Sequence, residues 1–296
     1  MSILIGQVSY LPDNDLRSKR LTASRTQIEW FNKILPNEKI ISVCQNYAQN
    51  ELPPNSISYE KGIGAGQARN VILKEFYNSD YDWLLLCDDD TTAYDYYHYE
   101  EFIKDVAYNP TKFKKVDAIS AVEPEYYPYK KLNFEDKNNL THYKFTPRVL
   151  NSGSATSLIR NIKKYYGKEI YYPNVDANKG EGREDIEFLI AWLLEGFNWY
   201  TMQTWIRKSL CFDKSSIFGG DTKKRDEILM HDLDVICERY KDYGITRNTH
   251  NKITWGEFNK RYNHSESLLY IERATPIEYT EKETPKEKPS TMKTLF

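Results

Sequence analysis

The run Trp83-Leu84-Leu85-Leu86-Cys87 is apolar without interruption and ends abruptly on Asp88-Asp89-Asp90, after which Thr91, Thr92 and Ala93 open a turn. It reads as a buried strand that delivers three carboxylates at its end. Side chains alternate along a strand, so Asp88 and Asp90 fall on one face and Asp89 on the other. Adjacent carboxylates repel one another, and a cation relieves the repulsion. Magnesium and manganese take a few hard carboxylate oxygens and fill their remaining positions with water or substrate phosphates, so the segment suits a metal-bound nucleotide diphosphate. Ligand sites of α/β proteins lie outside the carboxyl ends of strands, where these aspartates stand. The ordinary alternative is an acid-rich helix start favoured by the helix dipole.

Around this strand the pattern alternates. Ile3 to Val8 reads as a strand, Ser18 to Ile34 as an amphipathic helix and Lys39 to Val43 as a second strand. Lys61-Gly62-Ile63-Gly64-Ala65-Gly66 then leads into a helix from Gln67 to Phe76. Its glycines permit close backbone approach and its helix start offers free amides, although the spacing matches neither dinucleotide nor P-loop fingerprints. Further on come a strand from Asp117 to Val122, a long loop from Glu123 to Asn139, a small polar segment from Asn151 to Thr156 and a helix opened by Glu184-Asp185. A strand from Trp199 to Ile206 and a charged helix from about Asp221 to Tyr243 follow. The fold class expected is therefore α/β, a mostly parallel central sheet flanked by helices.

Composition sets the outer bounds. A chain of 296 residues with 40% apolar content has ample material for a core, and 41 basic against 43 acidic residues leave no overall basic footprint. Any nucleic-acid partner must then meet a local patch. Cys44, Cys87, Cys211 and Cys237 are widely spaced with no CxxC pair, which reads as reduced thiols in a cytoplasm. No apolar run is long enough to span a bilayer, so no membrane partner is expected.

The glycine loop with Ala68-Arg69-Asn70, the strand ending in Asp88-Asp89-Asp90 and the later Glu184-Asp185 resemble, in order and spacing, the inverting GT-A glycosyltransferases over roughly residues 1 to 220. The resemblance implies a nucleotide-binding α/β sandwich, a UDP-sugar donor and a divalent metal, Mn2+ or Mg2+. It makes Asp90 the metal ligand, with Asp88 assisting the metal or bonding the ribose, and it turns Arg69 toward the nucleotide. It makes Asp185 the general base, with Glu184 as positioner of the acceptor. In such a site the metal neutralises the leaving diphosphate while a carboxylate takes the acceptor's proton. The alternative role for Glu184 and Asp185 is a helix cap. For a further ligand or phosphate contact Asp213 and His231 are weaker candidates, and Lys214 is the preferred one. The implied organisation is a catalytic domain over 1–220 (donor half about 1–120, acceptor half about 121–220), a helical extension over 221–273 and a disordered tail over 274–296.

The chain also resembles small glycosyltransferases of T-even-type bacteriophages, some of which decorate hydroxymethylcytosine in DNA with glucose or arabinose. That likeness implies double-stranded DNA as partner and a flipped base as acceptor. Lys130, Lys131, Arg148, Arg160, Lys163 and Lys164, interleaved with Tyr126, Tyr127, Tyr129, Tyr165 and Tyr166, are the candidate surface. Leu295 and Phe296, at the tip of the polar tail, resemble short apolar peptides that dock on sliding clamps. The competing functions are the same chemistry on a surface glycan, lipid precursor or protein, a metal-dependent nucleotidyltransferase, and a nucleotide-binding adaptor without catalysis.

Overall fold

The computed structural model describes residues 3–89, 91–93, 99–122, 141–147, 156–173, 184–209, 222–248, 253–264 and 269–274. The chain begins with β1 (Ile3–Tyr10), α1 (Arg17–Ile34), β2 (Ile40–Gln45), β3 (Ser56–Tyr59), α2 (Ala65–Tyr77), β4 (Trp83–Asp88), β5 (Thr91–Ala93) and α3 (Tyr99–Tyr108). It continues through β6 (Ala118–Val122), β7 (His142–Pro147), β8 (Ser157–Arg160), α4 (Ile162–Tyr166), α5 (Glu184–Leu194) and β9 (Trp199–Ser209). Last come α6 (Thr222–Tyr240), β10 (Thr246–Arg247), β11 (Ile253–Thr254), α7 (Gly256–Tyr262) and β12 (Leu269–Glu272).

One large sheet organises these elements in the order β12-β7-β9-β6-β8-β4-β1-β2-β3, with β5 paired to β9 beside that path. β3, β2, β1 and β4 form an all-parallel half. The other half is mixed, because β8 runs antiparallel to both of its neighbours and β7 antiparallel to β9 and β12. All strands along the path except β7 and β8 therefore share one direction, as the alternating pattern predicts.

Strand alternation sorts the core into two layers. Leu4, Val8, Leu84 and Leu86 pack with Ala68, Ile72 and Phe76 of α2 and with Phe188, Trp192 and Leu193 of α5. Ile3, Ile5, Trp83, Leu85 and Cys87 pack on the opposite face with Phe31 and Ile34 of α1 and Phe102, Ile103 and Val106 of α3. The run from Trp83 to Cys87 is continuous because both faces of β4 are covered. β1 lies so close to α2 that a Cβ on Gly6 would stand 2.5 Å from a methyl of Ile72.

Two observations add to the sequence expectation. Thr91 to Ala93 form β5, which pairs with the far end of β9 and sets Ala93 opposite Arg207 and Thr92 opposite Lys208. The stretch expected as a helical extension also contributes β12 to the main sheet, paired with β7. Its α6 is tied back to α5 by an ion pair between Arg239 and Glu187. Glu123 to Asn139 and the tail from 275 onward lie outside the described residues.

Candidate active site

The parallel strands deliver their carboxyl ends to one rim of the sheet, and there alternation distributes the aspartates as expected. Asp88 continues the face of Leu84 and Leu86, toward α2 and α5, and Asp89 goes to the α1 side. Asp90 lies outside the described residues.

Asp89 is buried to 2% exposure. Its carboxylate accepts from Arg20 Nη2 and from Ser9 Oγ, each at 2.5 Å, and its backbone N–H donates to the carbonyl of Val8 at 3.0 Å. Ser9 Oγ also bonds the hydroxyl of Tyr47, whose ionisation is pushed up by burial and by the nearby Asp89 charge. Ser24 and Gln27 follow Arg20 on the same stripe of α1 at helical spacing. Ser24 Oγ donates to Gln7 Oε1 at 3.0 Å, and Gln7 Nε2 in turn donates to Gln27 Oε1 at 2.7 Å. Gln27 Nε2 donates to the backbone carbonyl of Asp88 at 3.0 Å. The buried face of α1 is thus polar over the rim and apolar, through Phe31 and Ile34, over the centre of the sheet.

Asp88 keeps 24% of its side chain exposed. Arg69 Nη2 donates to both of its oxygens, at 2.9 and 3.1 Å, and Arg69 Nη1 donates to Glu184 Oε1. One guanidinium therefore joins the end of β4 to the start of α5. Arg69 itself is only 3% exposed, with its guanidinium 5.2 Å from the ring centre of Tyr172 and its Nε without a hydrogen-bond partner among the described residues. Burial disfavours its charge, but Asp88 and Glu184 outweigh that and keep it cationic. The expectation that Arg69 faces a nucleotide thus meets a buried side chain already bonded to two carboxylates. Next to it, Asn70 holds the backbone of Tyr172 through both amide atoms, at 2.9 and 2.7 Å.

Glu184 is buried, and burial together with the Asp185 charge, against the pull of Arg69, pushes its carboxyl up to about 7. Asp185 is half-buried and accepts from the backbone N–H of Ile186, the next residue, at 2.9 Å, a contact made inside the first turn of α5, whereas an N-cap side chain reaches an N–H two or three residues on. The pair stands on a helix held rigidly, since Phe188, Leu189, Trp192 and Leu193 bury it on almost every side.

On donor chemistry the rim fits a hard divalent cation. Asp88 is a partly exposed carboxylate whose oxygens keep lone pairs beyond those Arg69 uses, and magnesium in particular needs only one or two such ligands beside substrate phosphates. Among the described residues no cluster of three or more His, Cys, Asp or Glu side chains is placed to hold a metal. Lys214 and Asp213 lie outside the described residues, and His231 is exposed on α6.

The described part of the candidate DNA surface, Arg160, Lys163, Lys164, Tyr165 and Tyr166, is not brought to this rim. β8 runs antiparallel to β4 with Arg160 opposite Trp83, which sets Arg160 and α4 at the far end of the strand, roughly 17 Å from Asp88. Arg160 is buried over the rings of Trp83 and Tyr165. Lys163 pairs with Glu169 at 2.6 Å and Lys164 with Asp82 at 2.8 Å, so their charges are answered within the chain. Lys130, Lys131, Arg148 and the tyrosines between 126 and 129 lie outside the described residues.

The sequence reading missed Ser9, Arg20 and Gln27, and quoted Asn70 within its motif without giving it a role. The polar stripe of α1 was the available signal for Arg20 and Gln27. It also missed Arg207 and Lys208, whose register opposite β5 puts two basic residues beside the segment that follows the aspartates.

No family model and no curated protein matches the chain. Solved structures do resemble it. Staphylococcus aureus TarS is 15% identical with a TM-score of 0.45, over 82% of this chain and 42% of that one, so the chain spans less than half of TarS. Glucosyl-3-phosphoglycerate synthase from Mycobacterium tuberculosis, solved with Mg2+ and UDP, is 9% identical with a TM-score of 0.46, over 79% of this chain and 78% of that one. A CMP:2-keto-3-deoxy-manno-octonic acid synthetase solved with CTP is 9% identical with a TM-score of 0.41, over 68% of this chain and 89% of that one.

Proposed function

We propose that the chain is a glycosyltransferase that moves a sugar from a UDP-sugar to an acceptor hydroxyl, with Asp88 and Asp90 on the donor side and Asp185 as the general base. The observation that carries this reading is the junction at Arg69. The acidic strand end and the Glu184-Asp185 pair are far apart in sequence, yet they share one guanidinium, as a donor site and an acceptor site must adjoin for a single displacement. A divalent cation held at Asp88 and Asp90 would supply the positive charge that neutralises the leaving diphosphate. Asp185, on the rigid start of α5, takes the proton from the acceptor hydroxyl as that oxygen attacks the anomeric carbon. Glu184 keeps its place through Arg69. Arg207 and Lys208, whose backbone pairs with β5, and Lys214 are the basic residues we assign to the phosphates. Attack from the face opposite the leaving group inverts the anomeric centre, and a retaining outcome would remove Asp185 from this role.

The acceptor we propose is 5-hydroxymethylcytosine in phage DNA, on the strength of the sequence resemblance to T-even-type enzymes, with Leu295 and Phe296 as a sliding-clamp peptide in the host cytoplasm. The base would have to be flipped to reach the rim. The test is hydrolysis and transfer with a panel of UDP-sugars, with and without Mn2+, offering hydroxymethylated DNA, unmodified DNA and simple glycans. Metal-dependent transfer only to hydroxymethylated DNA is the expected result. Transfer to glycans would keep the chemistry and discard the DNA acceptor. Release of pyrophosphate from a nucleoside triphosphate would establish the nucleotidyltransferase instead, and the absence of turnover on every substrate would leave a nucleotide-binding adaptor.

A further inference from the structure

We propose that Arg69 and Asn70 are positioning residues that hold the acceptor-side helix α5 in register with the donor-side strand β4, so that Asp185 stands at a fixed distance from Asp88. The proposal rests on the glycosyltransferase reading above and specifies what buried Arg69 and half-buried Asn70, near the start of α2, do within it.

Three contacts run from the first turns of α2 to Glu184 of α5 and to Tyr172, which stacks on α5. Arg69 Nη1 reaches Glu184, the first residue of α5, while Nη2 of the same side chain spans both oxygens of Asp88 at 2.9 and 3.1 Å. Asn70 fixes the backbone of Tyr172 by a reciprocal pair of hydrogen bonds, with its Nδ2 donating to the Tyr172 carbonyl and its Oδ1 accepting from the Tyr172 N–H. The Tyr172 ring lies over Arg69 and also stacks on Phe188, one turn into α5, with centroids 4.0 Å apart and planes 8° from parallel. α5 is thus gripped through a charged contact at its first residue and an aromatic contact one turn later, and both lead back to adjacent residues of α2. α2 itself cannot shift easily, because Ile72 meets β1 at Gly6. Asp185 follows Glu184 directly, so whatever places Glu184 places Asp185.

The geometry of the grip explains why an arginine is used. A guanidinium is a planar fork that can bond carboxylates on two different elements at once, whereas an ammonium is a point charge on a flexible stem. A lysine at 69 keeps the positive charge between the two carboxylates but loses the rigid fork that bonds each from its own nitrogen. A small displacement of a reacting group is costly to rate while leaving substrate binding largely intact.

The experiment compares wild type with Arg69→Lys, measuring thermal melting, UDP affinity by calorimetry without turnover, and kcat and KM for transfer. The expected result is a folded variant whose kcat falls about tenfold to a hundredfold, with UDP affinity and donor KM unchanged, the pattern of an interaction used only at the transition state. A folded Arg69→Lys with wild-type kcat overturns the proposal, and so does one that loses UDP affinity while keeping kcat, which would make Arg69 a nucleotide contact. Should Arg69→Lys not fold, Asn70→Ala reads the same grip through Tyr172: lowered kcat with unchanged UDP affinity supports it, and unchanged kcat overturns it. A wild-type chain that turns over no nucleotide-sugar overturns the glycosyltransferase reading, and this proposal falls with it. An active wild type beside an unaffected variant overturns the positioning role alone.

Discussion

Asp88 and Asp89 are neighbours in the chain with opposite occupations. Asp88 is part-exposed and shares Arg69 with Glu184, whereas Asp89 is enclosed by Arg20 and Ser9. Asp89 anchors the strand end so that Asp88 can stay available at the rim. Breaking a buried ion pair by removing one partner leaves an uncompensated charge, so Arg20→Met should cost about 3–5 kcal/mol of folding stability. Urea denaturation of the variant measures this. A loss within about 0.5 kcal/mol, the range of ordinary surface changes, would show that Asp89 is satisfied without Arg20. That Asp89 points away from Asp88 was legible from strand period alone. That a cation waits for it on α1 was not, because Arg20 lies 69 residues earlier and reads in sequence as an ordinary charged helix residue.

At the scale of elements, the site depends on how closely β1, α1 and α2 approach the end of β4. α1 contributes a polar half-stripe that bonds the Asp88 carbonyl through Gln27, and α2 contributes Arg69 and Asn70. The approach of α2 is allowed by Gly6, where an added methyl meets Ile72 at 2.5 Å, far inside van der Waals contact. Gly6→Ala should therefore push α2 outward and destabilise the fold by about 1–3 kcal/mol, the usual cost of overpacking a closed core. Because α2 carries Arg69, the shift also disturbs the junction with Glu184. Chemical denaturation tests the first effect, and a Gly6→Ala chain as stable as wild type would show that Ile72 can rotate out of the way. Helix and strand positions were readable from hydrophobic period, as the agreement over α1, α2, β4 and α5 shows. β5 was not, since three residues carry too little pattern to be told from a turn and its pairing partner on β9 is more than a hundred residues away.

Across the whole molecule, the carboxyl-end rim and the far end of the sheet have separate characters. The rim gathers Asp88, Asp89 and Glu184 around two buried arginines, whereas the far end carries Lys163 and Lys164 in ion pairs with Glu169 and Asp82 beside the exposed rings of Tyr165 and Tyr166. A DNA acceptor presented to the rim would then be held by residues other than those of α4. No helix among the described residues is long and apolar enough to cross a membrane. The proposed clamp peptide is a question at this scale too, because tethering raises local concentration without altering the site. Deleting residues 290–296 should abolish binding to a sliding clamp, measured by pull-down, while turnover on short DNA is unaffected. Retained clamp binding would sink the tether.

The order of strands and helices, the two-faced burial of β4 and the opposite facing of Asp88 and Asp89 were all present in the chain's own periodicity, because they depend on residues a few positions apart. The identity of each carboxylate's partner was not. Arg20 with Asp89 and Arg69 with Glu184 are contacts 69 and 115 residues apart, made only when the parallel strands bring their ends to one rim. The Lys and Tyr residues of α4 show the reverse case: they look like a binding face in sequence, and the antiparallel register of β8 carries them to the other end of the sheet. Local pattern specifies which face a side chain takes, while strand order and direction specify what it meets there.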